Sequence, residues 1–263
     1  MTDYKKLYNP NRHKDWNYGG SKWKLSRSKI ELFIECPKCF YLDNKLGTKR
    51  PSFPSLNLNI TIDELLKREF DWYRHQSNAH PIMEEYSLKA TPFRHQDLET
   101  WRNNFEGVTY YHPDTELMVS GAVDDIWINE KKELIVVDYK ATSKQTRIES
   151  LSDSSWENSY KRQLGVYQWL LYMNGFNVST TGYFLYANAD SNRDNFKDIL
   201  KFDTTLVPCE GDTRWIEKTL LEIKDCLENE SYPKSNTDCE YCRYREACGK
   251  KLQAIYKDKI KQN

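Results

Sequence analysis

One segment constrains this chain more than any other: four consecutive apolar residues, Leu134-Ile135-Val136-Val137, run directly into Asp138-Tyr139-Lys140. Such a run belongs to a strand covered on both faces, which demands a sheet with other elements packed on each side. Side chains alternate along a strand, so Asp138 and Lys140 project to the same side, at the mouth of a core. Asn129-Glu130-Lys131-Lys132 reads as a turn, and the preceding Gly121-Ala122-Val123-Asp124 lies at hairpin distance. That pairing brings Asp124 beside Asp138. Two converging carboxylates are costly unless a cation neutralises them, and hard oxygen ligands favour Mg²⁺ or Mn²⁺. A lysine on the same side can orient or deprotonate a water, or stabilise charge growing on a phosphate. Metal, water and lysine are the parts needed for phosphodiester hydrolysis. An isolated Asp-x-Lys is common on ordinary surfaces; the apolar run and the paired Asp set this one apart.

Helices are expected around this sheet. Ser26 can cap one over Arg27 to Glu35, with Ile30, Phe33 and Ile34 on one face, and Pro37 should disturb its end. Gly47 to Pro54 reads as a linker, followed by an amphipathic helix over Ile62–Arg74. Strands are expected at Gly107–Tyr111, Glu116–Ile128 and Glu133–Tyr139, then a polar, mobile loop over Thr142–Ser159. A long helix spans about Trp156–Asn174, stopped by Gly175, and carries Gln163 and Tyr167 four apart on one face. Strands return at Thr181–Tyr186 and Ile199–Phe202, followed by a helix over Thr213–Asn229 and a charged terminal helix. This order gives an α/β domain with helical flanks.

The seven cysteines carry a second signal. No stretch reaches the roughly 18 apolar residues a membrane span requires, and no apolar segment follows the N-terminal Met1-Thr2-Asp3-Tyr4-Lys5-Lys6, so a cytoplasmic chain is expected. In a reducing compartment clustered thiols suggest metal ligation before disulfides. Cys239, Cys242 and Cys248 form a Cys-x2-Cys-x5-Cys run, and the fourth ligand of a tetrahedral site must come from elsewhere. Cys36 and Cys39 compete for that place, and spacing alone does not separate zinc from iron. Cys209 and Cys226 read as ordinary thiols. Lys plus Arg equal Asp plus Glu, 39 against 39, so global charge names no partner. The first fifty residues nevertheless hold twelve Lys/Arg and five Asp/Glu, a local excess suited to a nucleic-acid backbone.

Taken together, Gly121-Ala122-Val123-Asp124, Asp138-Tyr139-Lys140 and Gln163 with Tyr167 resemble motifs II and III and the Gln-x-x-x-Tyr motif of RecB-like PD-(D/E)XK nucleases. Leu25-Ser26-Arg27-Ser28-Lys29-Ile30, continuing to Phe33, Cys36-Pro37 and Phe40-Tyr41-Leu42, resembles the first helix of the same family. The resemblance implies a restriction-endonuclease-like core: a mixed central sheet flanked by helices, with helical N- and C-terminal additions joined by a metal cluster. It divides the chain into an irregular arm (1–24), a nuclease domain that includes the cluster-binding ends (25–250) and a charged tail (251–263). It implies that Asp124, Asp138 and the Tyr139 carbonyl bind metal, that Lys140 is catalytic, and that Gln163 and Tyr167 line the site. The substrate it implies is DNA, as single strands or ends. Many relatives place a histidine ligand in the helix after the first motif. No histidine fits here; Asp63 is the nearest equivalent, with Glu64 and Glu69 as rivals. One N-terminal and three C-terminal cysteines resemble the iron–sulfur nucleases of this superfamily, among them the cluster-bearing CRISPR adaptation nucleases and the AddB subunit. That likeness implies a [4Fe–4S] cluster on Cys36, Cys239, Cys242 and Cys248, with zinc as the alternative. The competing function is a catalytically silent DNA clamp, or a subunit of a repair or recombination complex. The chain carries no helicase motif, so unwinding would fall to a partner.

Overall fold

The computed structural model describes residues 11–51 and 56–261. Residues 1–10 of the expected arm, 52–55 of the expected linker and 262–263 of the tail lie outside the described residues. The chain divides into two compact units, Met1–Phe53 with Lys218–Asn263, and Pro54–Glu217.

The first unit opens with a short strand, β1 (Leu25–Ser26), that leads into α1 (Arg27–Glu35). One residue later α2 begins (Pro37–Asn44). Pro37 therefore starts a helix rather than merely ending one: at the first helical position a proline forfeits no intrahelical hydrogen bond, and its fixed φ suits the turn. Ile30, Phe33 and Phe40 are buried, with the two phenyl rings edge to face at 5.3 Å.

The second unit runs through α3 (Asn57–Gln76), α4 (Pro81–Glu85), β2 (Ala90–Pro92), α5 (Leu98–Arg102), β3 (Val108–His112), β4 (Leu117–Gly121), β5 (Asp125–Asn129), β6 (Leu134–Thr142), α6 (Ser155–Met173), β7 (Thr181–Ala189) and β8 (Phe202–Glu210). After it α7 (Ile216–Glu228) returns the chain to the first unit, where α8 (Glu240–Lys261) ends it. Five strands form one mixed sheet in the order β2-β5-β6-β7-β8. β6 and β7 are parallel, the relation that a helical crossover such as α6 produces, and the other neighbours are antiparallel. β6 is central. Leu134, Ile135, Val136 and Val137 are all buried, as the apolar run requires. On one face Phe70 of α3 packs with Trp127, Val137 and Leu185. Leu164 of α6 lies against Gly182, where an added Cβ would sit 2.8 Å from its methyl.

Boundaries differ where periodicity alone misleads. The single strand expected over Glu116–Ile128 is two, β4 and β5, interrupted at Ala122-Val123-Asp124; β4 pairs with β3, whereas β5 pairs with β6. The strand expected at Ile199–Phe202 lies further on, at Phe202–Glu210. Helix α6 starts within the expected loop because Ser154 caps it, accepting from the Glu157 N–H. Among the described residues no helix is long and apolar enough to cross a membrane.

Candidate active site and cysteine centre

The antiparallel register sets Asp125 opposite Val137, so Asp124, one residue before β5, arrives beside Asp138. The Tyr139 N–H donates to Asp124 Oδ2 at 2.9 Å and fixes that approach. Asp138 is 0% exposed, and neither of its carboxylate oxygens accepts a hydrogen bond of sound geometry. Its counter-charge is Lys140, two residues on and on the same side, whose ammonium is pressed against Oδ2. A buried carboxylate normally collects several donors, so one oxygen with only an ammonium against it and one with no donor at all leave room for a ligand the chain does not supply.

Burial, reinforced by Asp138 and Asp63, pushes Asp124 up to about 7, although Lys140 and Lys67 pull the other way. Burial lowers Lys140, but Asp138 and Asp124 outweigh it and hold its pKa above the ordinary value. Without a metal, then, Lys140 stands as an ammonium between two carboxylates. A divalent cation would relieve both the shortage of donors and the repulsion, so the donor set fits Mg²⁺ or Mn²⁺. The elements thus bring Asp124, Asp138 and Lys140 together.

The other expected residues lie as follows. Lys140 donates to Gln163 Oε1 at 3.4 Å, and Gln163 Nε2 donates to the Tyr167 hydroxyl at 3.0 Å. Tyr167 is seated by Gly121: any Cβ there would lie 2.8 Å from the ring. Tyr139 occupies β6 opposite Leu185, its hydroxyl donating to Asp125 Oδ2 at 2.9 Å. Of the carboxylates on α3, Glu69 is held by His80 at 2.9 Å and Glu64 faces Arg68 at 3.5 Å. Asp63 pairs with Lys67 at 2.7 Å, and its charge acts on Asp124.

Two participants escaped the sequence reading. Tyr160 carries the Lys140 ammonium 4.3 Å from its ring centroid. The spacing Tyr160, Gln163, Tyr167 is the signal that could have found it, since positions three and four apart share a helix face. The second is Asp125, fully buried and bonded to Arg74 and Arg102. No signal in one sequence distinguishes it from Asp124 beside it.

A separate centre lies in the first unit. Cys36, Cys39, Cys239 and Cys242 bring their four sulfurs within 4.8 Å of one another, all buried. The two pairs are built alike. Cys36 caps α2 and Cys39 lies in its first turn; Cys239 immediately precedes α8 and Cys242 lies in its first turn. In each pair the leading carbonyl accepts from the N–H four residues on, Phe40 and Arg243, both at 3.0 Å. Helix N-termini favour thiolates. Arg245 donates to Cys242 at 3.1 Å and to Cys39 at 3.5 Å, and Arg50 donates to Cys239 at 3.6 Å. Burial raises Cys239, but the Cys242 N–H and the neighbouring thiols outweigh it and bring it down to about 7, while burial drives Cys39 up to about 12.

Cys39 thus stands where the sequence reading set Cys248. The run from Cys239 to Cys248 is largely helix, and Cys248, six residues beyond Cys242 on α8, is turned well away from it and lies against Tyr244. Neighbouring sulfurs are 3.6–3.8 Å apart. Four thiolates at about 2.3 Å from one tetrahedral ion are about 3.8 Å apart, whereas a four-iron cluster spreads them to roughly 6 Å. The group as placed fits a single ion.

Residues 58–249, most of the chain, match the family described as the PD-(D/E)XK nuclease superfamily. No curated protein matches. Among solved structures, one described as "Crystal structure of SSO0001" is similar at 13% identity, with 83% of this chain and 82% of that chain covered and a TM-score of 0.36.

Proposed function

Because this chain belongs to the PD-(D/E)XK nuclease superfamily, we propose that it is a Mg²⁺- or Mn²⁺-dependent nuclease that hydrolyses the phosphodiester bonds of DNA, at single strands or strand ends. One observation carries the reading: Asp138 is wholly buried next to Asp124, with Lys140 as the counter-charge at Oδ2 and no donor at Oδ1. Asp124 and Asp138, with Asp63 as the third carboxylate and the Tyr139 carbonyl as a further oxygen, would hold the cation. When bound, that cation supplies a Lewis acid for the scissile phosphate and lowers the pKa of a water. With Asp138 engaged by that cation, Lys140 would be free to orient the attacking water or to meet the charge growing on phosphate. Gln163 keeps the Lys140 ammonium in place, and Tyr167, bonded to Gln163, keeps the amide in place.

Cleavage of end-labelled single- and double-stranded DNA, run with Mg²⁺, Mn²⁺ or EDTA, tests this. The expected result is metal-dependent cutting that EDTA abolishes. A folded protein that binds DNA and never cuts it in either metal would instead establish the silent clamp.

For the cysteine centre, the sulfur spacing favours one zinc ion on Cys36, Cys39, Cys239 and Cys242 over the [4Fe–4S] cluster of the resemblance. Zinc is colourless because its d shell is full. Metal analysis should find one zinc per chain, lost in Cys39→Ser and kept in Cys248→Ser. Brown protein with equal iron and sulfide, bleached by Cys248→Ser, would restore the cluster.

A further inference from the structure

The first turn of α6 holds an aromatic residue that the hydrolytic chemistry does not use. Trp156 is 68% exposed, and yet it is not loose. Its indole N–H donates to the Tyr160 hydroxyl one turn further on, and the two rings meet edge to face with centroids 5.7 Å apart. Tyr160 in turn leans on Phe184 of β7 at 5.9 Å and lies under the Lys140 ammonium at 4.3 Å. A chain of rings therefore leads from the proposed catalytic lysine to solvent and ends on an indole.

The turn that bears Trp156 is itself anchored. Glu157 accepts from the Ser152 backbone N–H and hydroxyl and pairs with Lys144 at 3.2 Å, while the Asn188 amide bonds both the N–H and the C=O of Lys144. A single exposed aromatic is ordinary on a protein surface; what marks Trp156 is that its ring is held. The hydrogen bond, the edge contact and the capped helix turn fix its ring angle and leave a face of the ring presented to solvent. What stacks on a fixed indole without regard to sequence is an unpaired base, since every base offers a π face. A base inside a duplex is already stacked on both sides and cannot take the place.

We propose that Trp156, held by Tyr160, is a stacking platform for one unpaired base of the substrate strand, within roughly two nucleotides of the phosphate presented to Asp124, Asp138 and Lys140. This rests on the nuclease reading for its placement and supplies its preference: a single strand or a frayed end over an intact duplex. A base of DNA or of RNA carries the same π face, so both belong in the test.

Binding separates the platform from the chemistry. The parent protein carries Asp138→Asn, so that ligand is not consumed, and fluorescence anisotropy is read with labelled dT8, U8 and a blunt hairpin duplex in Mg²⁺. Adding Trp156→Ala should raise the Kd for the single strands about tenfold and shift the duplex less than about twofold. Trp156→Phe, which retains a ring, should stay within about threefold of the parent and shows that the alanine effect is not misfolding. Equal losses on single strand and duplex, unchanged single-strand affinity, or a parent that does not bind single strands would each overturn the proposal. With Asp138 restored, Trp156→Ala should raise KM on dT8 and leave kcat within about twofold. If the restored enzyme cuts nothing but the binding pattern holds, the nuclease reading has failed and the platform has not.

Discussion

Asp124 and Asp125 are adjacent in sequence and serve opposite ends. Asp125 is 0% exposed and fully supplied: Oδ1 accepts from Arg74, from Arg102 at 2.9 Å and from the Ile126 N–H at 2.9 Å, while Oδ2 accepts from Trp127 Nε1 at 3.0 Å and from the Tyr139 hydroxyl at 2.9 Å. On β6 the neighbour of Asp124, Asp138, is buried to the same depth and has only the Lys140 ammonium, at Oδ2. The same residue type at the same depth thus appears once with both oxygens fully supplied by the chain and once with a single lysine against one oxygen and nothing at the other. Burial of a carboxylate therefore says little about function; the state of its oxygens says much more. Asp125 ties α3 and α5 to the sheet through Arg74 and Arg102, and those two arginines also share Asp71. Asp124 and Asp138 instead meet only the Tyr139 N–H and the Lys140 ammonium, the deficit that the proposed cation would make good.

The largest effect that can break this contrast is at Asp138. Asp138→Asn keeps the volume and removes the charge that a metal needs, so cleavage should fall by about 10³-fold or more. Folding should suffer less than at Asp125, because Asp124 remains as a counter-charge for Lys140. Labelled-DNA cleavage and a urea melt on the same preparation decide it; a variant that cuts normally removes Asp138 from the site. At Asp125 the order reverses. Asp125→Asn strands two buried guanidiniums and should cost about 3–5 kcal/mol of stability. Cleavage per folded molecule, measured well below the melting range, should fall less than about tenfold. A stable Asp125→Asn would mean that Asp71 alone suffices for both arginines.

This difference shows where a sequence can be read and where it cannot. The apolar run Leu134–Val137 fixed the central strand, because four adjacent apolar residues have no other comfortable place in a soluble sheet. Helical spacing put Gln163 and Tyr167 on one face of α6, and only the family resemblance gave that face a role. Asp125 was not legible, since what distinguishes it from Asp124 is two arginines 51 and 23 residues away, brought in by α3 and α5. The helix at Pro37 was missed because proline is read as a breaker, while at the first helical position it is a start. That same helix puts Cys36 and Cys39 on one turn, and α8 turns Cys248 away from Cys242. Counting cysteines gave the centre; only the helical phase distinguishes Cys39 from Cys248.

The smallest effect sharpens the comparison from the side of Asp124. Its pKa in the folded chain is raised from 3.8 to about 7 by burial and by Asp138. A raised carboxyl binds its proton more tightly in the folded state than in the unfolded one, so metal-free stability is lost as pH climbs from about 4 to about 7 and stays low above that. Asp124→Asn removes the penalty and keeps an oxygen for the Tyr139 N–H. In EDTA the variant should therefore be more stable than the parent at pH 8, by about 2 kcal/mol once partial solvent screening is allowed for, and the gain should shrink steadily toward pH 4. Urea melts at pH 4, 6 and 8 measure it. A gain that is the same at all three would show that Asp124 is relieved by the chain alone, as Asp125 is, and the contrast between the two neighbours would close. A gain confined to the upper pH values, and abolished for the parent by millimolar Mg²⁺, would show that this carboxylate is left in deficit by the fold and made good by a cation.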